Sequence, residues 1–421
     1  MLATPELIAA EAQVRRLAEA LPRYCEKASL YHGRKRSSGG DTWNPLERWQ
    51  ELPLITKQDI RRNFPHNFLP PGQDLEELLE RSALELEHTS GTSEQRTPLL
   101  LPWGWWAQQE RRAMALNSLV DALLNDEPEA RRVTINSPVC SGDICYTGVP
   151  SRSDRVVGTA LHLSLSRFPF LWGEAELARM ARETVEWQPR FLDVDPAYGV
   201  VFALYCEKHG IRFPSLRFVL CSYEFLSTVH RRVLRRVFQV PVLNLYGSTE
   251  TGHLLMEDER GEMKPSLETA FLEIHKPGPD GVGDLVVTTL TNDFMPLIRY
   301  RIGDLVQARP QAYQTRYTVH GRAADAFHLC IGRRVTTFQV DACFEAVPGI
   351  AHYQLIERCA GPWSLRFVTE GKGPEASELR ALQGTLTDLL CLSEPPELRP
   401  ADMLVPESSG KFRLGYPRAS V

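Results

Sequence analysis

Four short segments of this chain carry residue types that could do chemistry. Thr89-Ser90-Gly91-Thr92-Ser93 gathers hydroxyls and backbone N–H groups around a glycine, and such a loop can wrap a polyphosphate. Tyr246-Gly247-Ser248-Thr249-Glu250 joins an aromatic ring able to stack on a purine to a carboxylate able to hold Mg²⁺. Arg299-Tyr300-Arg301-Ile302-Gly303-Asp304 ends in a carboxylate past a glycine, able to accept two hydrogen bonds from ribose hydroxyls. Ser408-Ser409-Gly410-Lys411 is a turn followed by an ammonium, which can stabilise charge built up as pyrophosphate leaves an α-phosphate. Together these groups suit the activation of a carboxylic acid by ATP to an acyl adenylate.

Each segment also has a plain reading. The first is an ordinary Ser/Thr turn, the second a strand end with a solvated Glu250, and the third a hairpin aspartate. Lys411 can be one more cation in a basic terminal stretch. Arg322, after Gly321, can reach ribose or phosphate, or face solvent. The weight comes from the set rather than from any one member.

The elements between the motifs suggest how they are positioned. Residues 1 to about 30 read as a helix. Thr56 is an N-cap for a short helix that Pro65 ends. From about 84 to 300, strands and helices alternate. Leu99–Leu101, Arg132–Asn136, Phe191–Val194, Phe218–Cys221 and Val240–Leu245 read as strands. Trp103–Leu124, Leu177–Thr184, Tyr198–His209 and a Ser227-capped stretch to Phe238 read as helices. Apolar strands followed by helices predict a mostly parallel sheet with helices on its faces. Short strands at Ala270–His275, Gly283–Thr289, Leu297–Tyr300 and Leu305–Ala308 then predict an antiparallel or barrel-like section. From about 323 the chain reads as a compact α+β module. The expected fold class is therefore α/β: a large domain over 1–321, a hinge at 322–326 and a small mobile domain over 327–421.

The bulk properties exclude several function classes. The chain has 421 residues, 43% hydrophobic and 24% charged, with a net charge of -5. Nothing marks a nucleic-acid binder. The nine cysteines include no CxxC pair, which favours reduced thiols. No window approaches the ~20 apolar residues of a membrane span. The N-terminus lacks a signal-peptide core, so the expected location is the cytoplasm, without membrane attachment.

In this order and spacing, the motifs resemble the adenylate-forming superfamily of acyl-CoA synthetases and adenylation domains. The resemblance is nearest to the phenylacetate–CoA ligase family. It extends to Leu52-Pro53-Leu54-Ile55-Thr56-Lys57-Gln58-Asp59-Ile60-Arg61, and to the stretch Asp280–Thr291 ahead of the Arg-Tyr-Arg-x-Gly-Asp motif. It covers residues from about 50 onward. It implies a two-step reaction that forms an acyl adenylate and passes the acyl group to a thiol, by default that of coenzyme A. The alternatives are transfer to a carrier-protein phosphopantetheine or an amine, or a degenerate homologue that binds without turnover.

The resemblance also implies roles. Thr89, Ser90, Gly91, Thr92 and Ser93 become the phosphate loop. Tyr246 becomes the adenine-side aromatic, within a nucleotide-binding turn that includes Gly247 and Ser248. Thr249 becomes a phosphate or acyl-AMP contact and Glu250 the Mg²⁺ ligand. Asp304 takes the ribose, Arg322 sits near ribose and phosphate, and Lys411 is the adenylation lysine. Gly332 matches a loop that swings in for thioester formation.

The departures from the family pattern are specific. The phosphate loop continues Ser93-Glu94-Gln95-Arg96 where the family has Thr-Gly-Lys-Pro, so Arg96 is its cation. Ala324 replaces the usual hinge acid, with Asp325 beside it. Leu220-Cys221-Ser222-Tyr223-Glu224 replaces a Gly/Ala-rich turn, which puts Tyr223 and Glu224 beside the nucleotide. Met256–Pro265 has no Cys or His, so no zinc is expected. Tyr146, Phe168, Phe170, Trp172, Tyr198 and Tyr223 suggest a flat aromatic or small apolar acid as substrate.

Overall fold

The computed structural model describes residues 5–34, 49, 52–70, 72–89, 96–136, 150–166, 172–311, 314–330, 332–407 and 410–418; the side chains of 5–12 and 32–34 are not described. The chain divides into two compact units, one of residues 1–121 and 245–318, the other of 122–244 and 319–421. Among the described residues no helix is long and apolar enough to cross a membrane.

The first unit carries an antiparallel ladder. Its strands run in the order Ala270–His275, Val282–Thr289, Tyr300–Arg309, Arg316–Arg322, Met263–Pro265, Gly252–Glu257 and Val242–Ser248. The section read as antiparallel or barrel-like is this ladder. The two strands expected at Leu297–Tyr300 and Leu305–Ala308 are instead one strand, Tyr300–Arg309. Gly303 keeps a positive φ of 96° inside it, so the expected turn is a local twist within a continuous strand. The helix expected over Trp103–Leu124 is two helices, Trp105–Met114 and Ser118–Asp126. Asn117 makes the break. Its side-chain oxygen accepts from Leu119 and Val120 N–H, and its amide donates to Glu257 O at 2.9 Å. The N-terminal helix spans Pro5–Lys27.

The short helix Lys57–Arg61 starts at Thr56, where a reciprocal capping box with Asp59 satisfies the first N–H groups. It ends ahead of Pro65, at Arg61, and Asn63 then turns with φ 59°.

The second unit carries the parallel strands. Val242 to Asn244 begins the row, followed by Phe218–Cys221, Phe191–Val194, Arg132–Ile135 and Ala160–His162, all parallel. Phe191–Val194 and Phe218–Cys221 are buried at every position, the pattern of strands covered on both faces. The helices are Glu174–Trp187, Pro196–Lys208 and Thr228–Phe238, and Ser227 caps the last by accepting from His230 N–H.

The later part of this unit adds a sheet ordered Glu397–Pro400, Ser364–Thr369, Ile350–Ile356 and Gly415–Tyr416, with the helices Thr337–Ala342 and Ala376–Leu390. Gly332 turns the hairpin between Phe327–His328 and Arg334–Val335 at φ 76°, a conformation that favours glycine.

A buried ion pair ties helix to strand here. Arg155, 2% exposed, bonds Glu183 at 2.8 Å and donates to His162 O at 2.7 Å. Removing one partner of such a pair strands the other charge. Arg155→Ala should cost roughly 3 kcal/mol, softened by Arg179, which also holds Glu183. A urea midpoint within error of wild type would contradict this.

Candidate active site

Two clusters bring the motif residues into contact with one another, one cluster in each unit. In the first unit, Glu250 is 4% exposed, at the turn following Val242–Ser248. Its Oε1 accepts from Tyr300 OH at 2.9 Å and lies 2.9 Å from Lys57 Nζ. Burial raises the carboxyl pKa, but the Lys57 ammonium, with the Tyr300 hydroxyl and a backbone N–H, outweighs it and holds the group below its ordinary value. Glu250 is therefore a buried, ionised carboxylate and not a solvated one.

Lys57 reaches Glu250 because its segment is stitched to the strand that bears Tyr300. Ile55 pairs in parallel with Tyr300 through Ile55 N–H to Arg299 O (3.1 Å) and Arg301 N–H to Ile55 O (2.9 Å). Arg299 donates to Leu52 O at 2.7 Å. Close by, Tyr246 OH donates to Asp304 Oδ2 at 2.7 Å. Gly247 is required sterically, since a Cβ there would lie 2.3 Å from Gly252 O. Thr249 is a half-buried turn residue, and Ser248 bonds Thr251 at 3.0 Å.

In the second unit the cluster lies at the carboxyl ends of the parallel strands, the edge where open α/β sheets bind ligands. Asp195 follows Phe191–Val194 and caps the helix Pro196–Lys208, accepting from Ala197 and Tyr198 N–H. Ser222, Tyr223 and Glu224 follow Phe218–Cys221. Ser222 Oγ and Tyr223 OH donate to Asp193 at 3.0 and 3.1 Å. Tyr223 is held at φ 73°, uncommon for a side-chain-bearing residue.

Lys411 is near enough to Asp195 and Glu224 for its charge to act on both. Burial pushes the Glu224 carboxyl well up, the Asp195 charge adds to this, and Lys411 and Arg322 oppose it. Burial likewise raises Asp195, against the two capping N–H groups and Lys411. Arg322 is exposed. Two residues past the lysine, Arg413 pairs with Asp325 at 2.7 Å and with Glu407 at 3.2 Å.

The expected site residues divide accordingly. Tyr246, Gly247, Ser248, Thr249, Glu250 and Asp304 gather in the first unit; Tyr223, Glu224, Arg322 and Lys411 gather in the second. Thr89 is buried and accepts from Thr97 N–H at 3.1 Å. Ser90, Gly91, Thr92 and Ser93 lie outside the described residues, as do Tyr146, Phe168 and Phe170. Trp172 and Tyr198 are core rather than accessible aromatic surface, with rings edge-to-face at 5.3 Å; Tyr223 is exposed. Sequence reasoning assigned no role to Lys57, Asp195 or Arg413. Two signals were available: Lys57 directly follows a capping residue, and Asp195-Pro196 is a cap followed by proline at the first helical position.

Mg²⁺ takes one or two carboxylates together with phosphate oxygens. The ionised Glu250 fits that chemistry, with its Oε1 shared between Lys57 and Tyr300. Among the described residues no three or more His, Cys, Asp or Glu group as a metal site.

The α/β body, with its parallel strands flanked by helices and its antiparallel ladder, has the fold of acyl-CoA ligases. A 2-hydroxyisobutyryl-CoA ligase, solved in the postadenylation state with 2-HIB-AMP, matches 97% of this chain and 89% of its own at TM-score 0.70 and 16% identity, a likeness of fold. The phenylacetate-coenzyme A ligase of Thermus thermophilus is 28% identical over 48% of this chain, and the match spans about half the relative (49%). That of Escherichia coli is 24% identical over 77% of this chain and 73% of its own. No family model matches. The chain is thus similar in sequence to phenylacetate-coenzyme A ligases and shares the fold of an acyl-CoA ligase.

Glu250 generates a pH prediction. Its folded pKa is depressed, so its contribution to stability is present above the unfolded value and is lost as pH falls through the folded one. Lys57→Met should destabilise by roughly 2 kcal/mol at neutral pH, less than for a fully buried pair because Lys57 is half-exposed. Below about pH 4 the difference should fade as Glu250 protonates. A destabilisation independent of pH would remove the ion pair from the account.

Proposed function

We propose that the chain is an ATP-dependent, AMP-forming ligase that activates a carboxylic acid as its acyl adenylate and passes the acyl group to a thiol, by default coenzyme A. The observation that carries this reading is the ionised, buried Glu250 held by Lys57 and Tyr300 next to the Tyr246–Asp304 pair. Glu250 would hold Mg²⁺, which when bound would neutralise triphosphate charge. Asp304 would orient the ribose hydroxyls and Tyr246 would flank the adenine, with Thr249 and Arg322 on the phosphate side. Lys411 would stabilise the charge that develops as the acid attacks the α-phosphate and pyrophosphate departs.

The names of the relatives favour an aromatic or small apolar acid. Trp172 and Tyr198 add nothing to that preference, being core residues. A carrier-protein phosphopantetheine or an amine is the alternative acceptor. The segment 322–326 would act as the hinge for a mobile 327–421, presenting Lys411 and Gly332 in turn. The altered phosphate loop leaves a non-turnover homologue as the rival reading.

Acid-dependent exchange of labelled pyrophosphate into ATP, run over aryl, fatty and amino acids, tests the proposal. Exchange with at least one acid is expected; none with any acid overturns it. In the active protein, Lys411→Ala should lower exchange about a hundredfold or more. Asp304→Ala should weaken ATP binding by about tenfold or more, the loss of at least one charge-assisted hydrogen bond. Calorimetry showing unaltered ATP affinity would leave Asp304 as only the acceptor of the Tyr246 hydroxyl.

A further inference from the structure

Lys411 belongs to a backbone segment pinned on both sides by residues far away in sequence. On one side, Tyr198 OH donates to Gly410 O at 2.9 Å. On the other, Phe412 N–H donates to Glu224 Oε1 at 2.8 Å. Inside the segment, Gly410 N–H donates to Glu407 O and Glu407 N–H to Lys411 O, both at 2.8 Å, closing a tight turn. Gly410 takes φ 83°, open to glycine at little cost. The Phe412 ring is wedged edge-on between Tyr198 at 6.0 Å and His352 at 4.9 Å.

Neither pin is fortuitous in chemical terms. Tyr198 is fully buried in the first turn of the helix Pro196–Lys208, and a buried phenol must place its hydroxyl on an acceptor. That acceptor is a carbonyl of the lysine turn. Glu224 stands at the carboxyl edge of the parallel strands, and the turn supplies it with a backbone N–H that any residue at 412 other than proline would carry.

We propose that Tyr198 and Glu224 are positioning residues for Lys411, a two-point latch that sets the ammonium against the carboxyl edge of the parallel strands. The latch acts on the backbone at 410 and 412, on either side of the lysine, and so aims it. The functional part of this assignment rests on reading Lys411 as the adenylation lysine; the latch itself does not. A mobile 327–421 would have to release both hydrogen bonds to present any other face, so the latch would also set how often the lysine is withdrawn.

The test uses the full-length protein without ligands and reads amide hydrogen exchange in a peptide covering 410–418. Tyr198→Phe keeps the ring packed on Trp172 and Phe412 and removes only the hydroxyl. Exchange should quicken about fivefold, as for the loss of one ordinary net hydrogen bond. Glu224→Ala should do the same, and Glu224→Gln, which keeps an acceptor oxygen, should restore protection. Unchanged exchange in both Tyr198→Phe and Glu224→Ala overturns the latch.

In the pyrophosphate assay, Tyr198→Phe should lower kcat about fivefold with KM for ATP unaltered. Faster amide exchange with an unaffected kcat would overturn the positioning role. If the wild type shows no pyrophosphate exchange with any acid, the proposed function fails, and the latch stands or falls on amide exchange alone.

Discussion

A carboxylate taken out of water must be met by a cation or by several hydrogen bonds, or it will not stay ionised. Glu250 meets that constraint with Lys57 and Tyr300, from segments nearly two hundred residues before it and fifty after it in the chain. Most of the surrounding architecture of this unit can be traced to the requirement. The stretch before Lys57 runs parallel to Tyr300–Arg309 at Ile55, and Arg299 clamps it by its carbonyls. Thr56 and Asp59 close the cap that begins the helix at Lys57. Gly247 allows the approach of Gly252 that folds the turn back toward the ladder.

The second unit solves a different problem. Parallel strands with helices on both faces leave one usable edge, where strands end and helices begin. Here that edge is acidic, with Asp193, Asp195 and Glu224 close together. Each finds its own hydrogen-bond donors: Asp193 the hydroxyls of Ser222 and Tyr223, Asp195 helix N–H groups, and Glu224 the backbone N–H of Phe412. The Lys411 ammonium opposes the upward pull of burial on Asp195 and Glu224. The arrangement makes the lysine part of the edge rather than an appendage to it.

Shared fold and shared sequence diverge in this chain. The fold likeness extends over nearly the whole chain at 16% identity, so what is shared is the layering of strands and helices. Arg96 is exposed, and Asp325, next to Ala324, pairs with Arg413.

Local chemistry was legible before folding was considered. Phe191–Val194 and Phe218–Cys221 stand where the apolar runs place them, and Ser227 caps the helix expected of it, because hydrophobic runs and caps act over a few residues. The Tyr-Gly-Ser-Thr-Glu and Arg-Tyr-Arg-Ile-Gly-Asp motifs were visible for the same reason. Partnerships were not. Nothing in the order of residues says that Lys57 neutralises Glu250, that Tyr246 bonds Asp304, that Asn117 splits a helix by reaching Glu257, or that a buried Tyr198 holds the carbonyl before Lys411. Those outcomes depend on which distant backbone segments pack together, and so on long-range burial and hydrogen-bond satisfaction that only the folded chain decides.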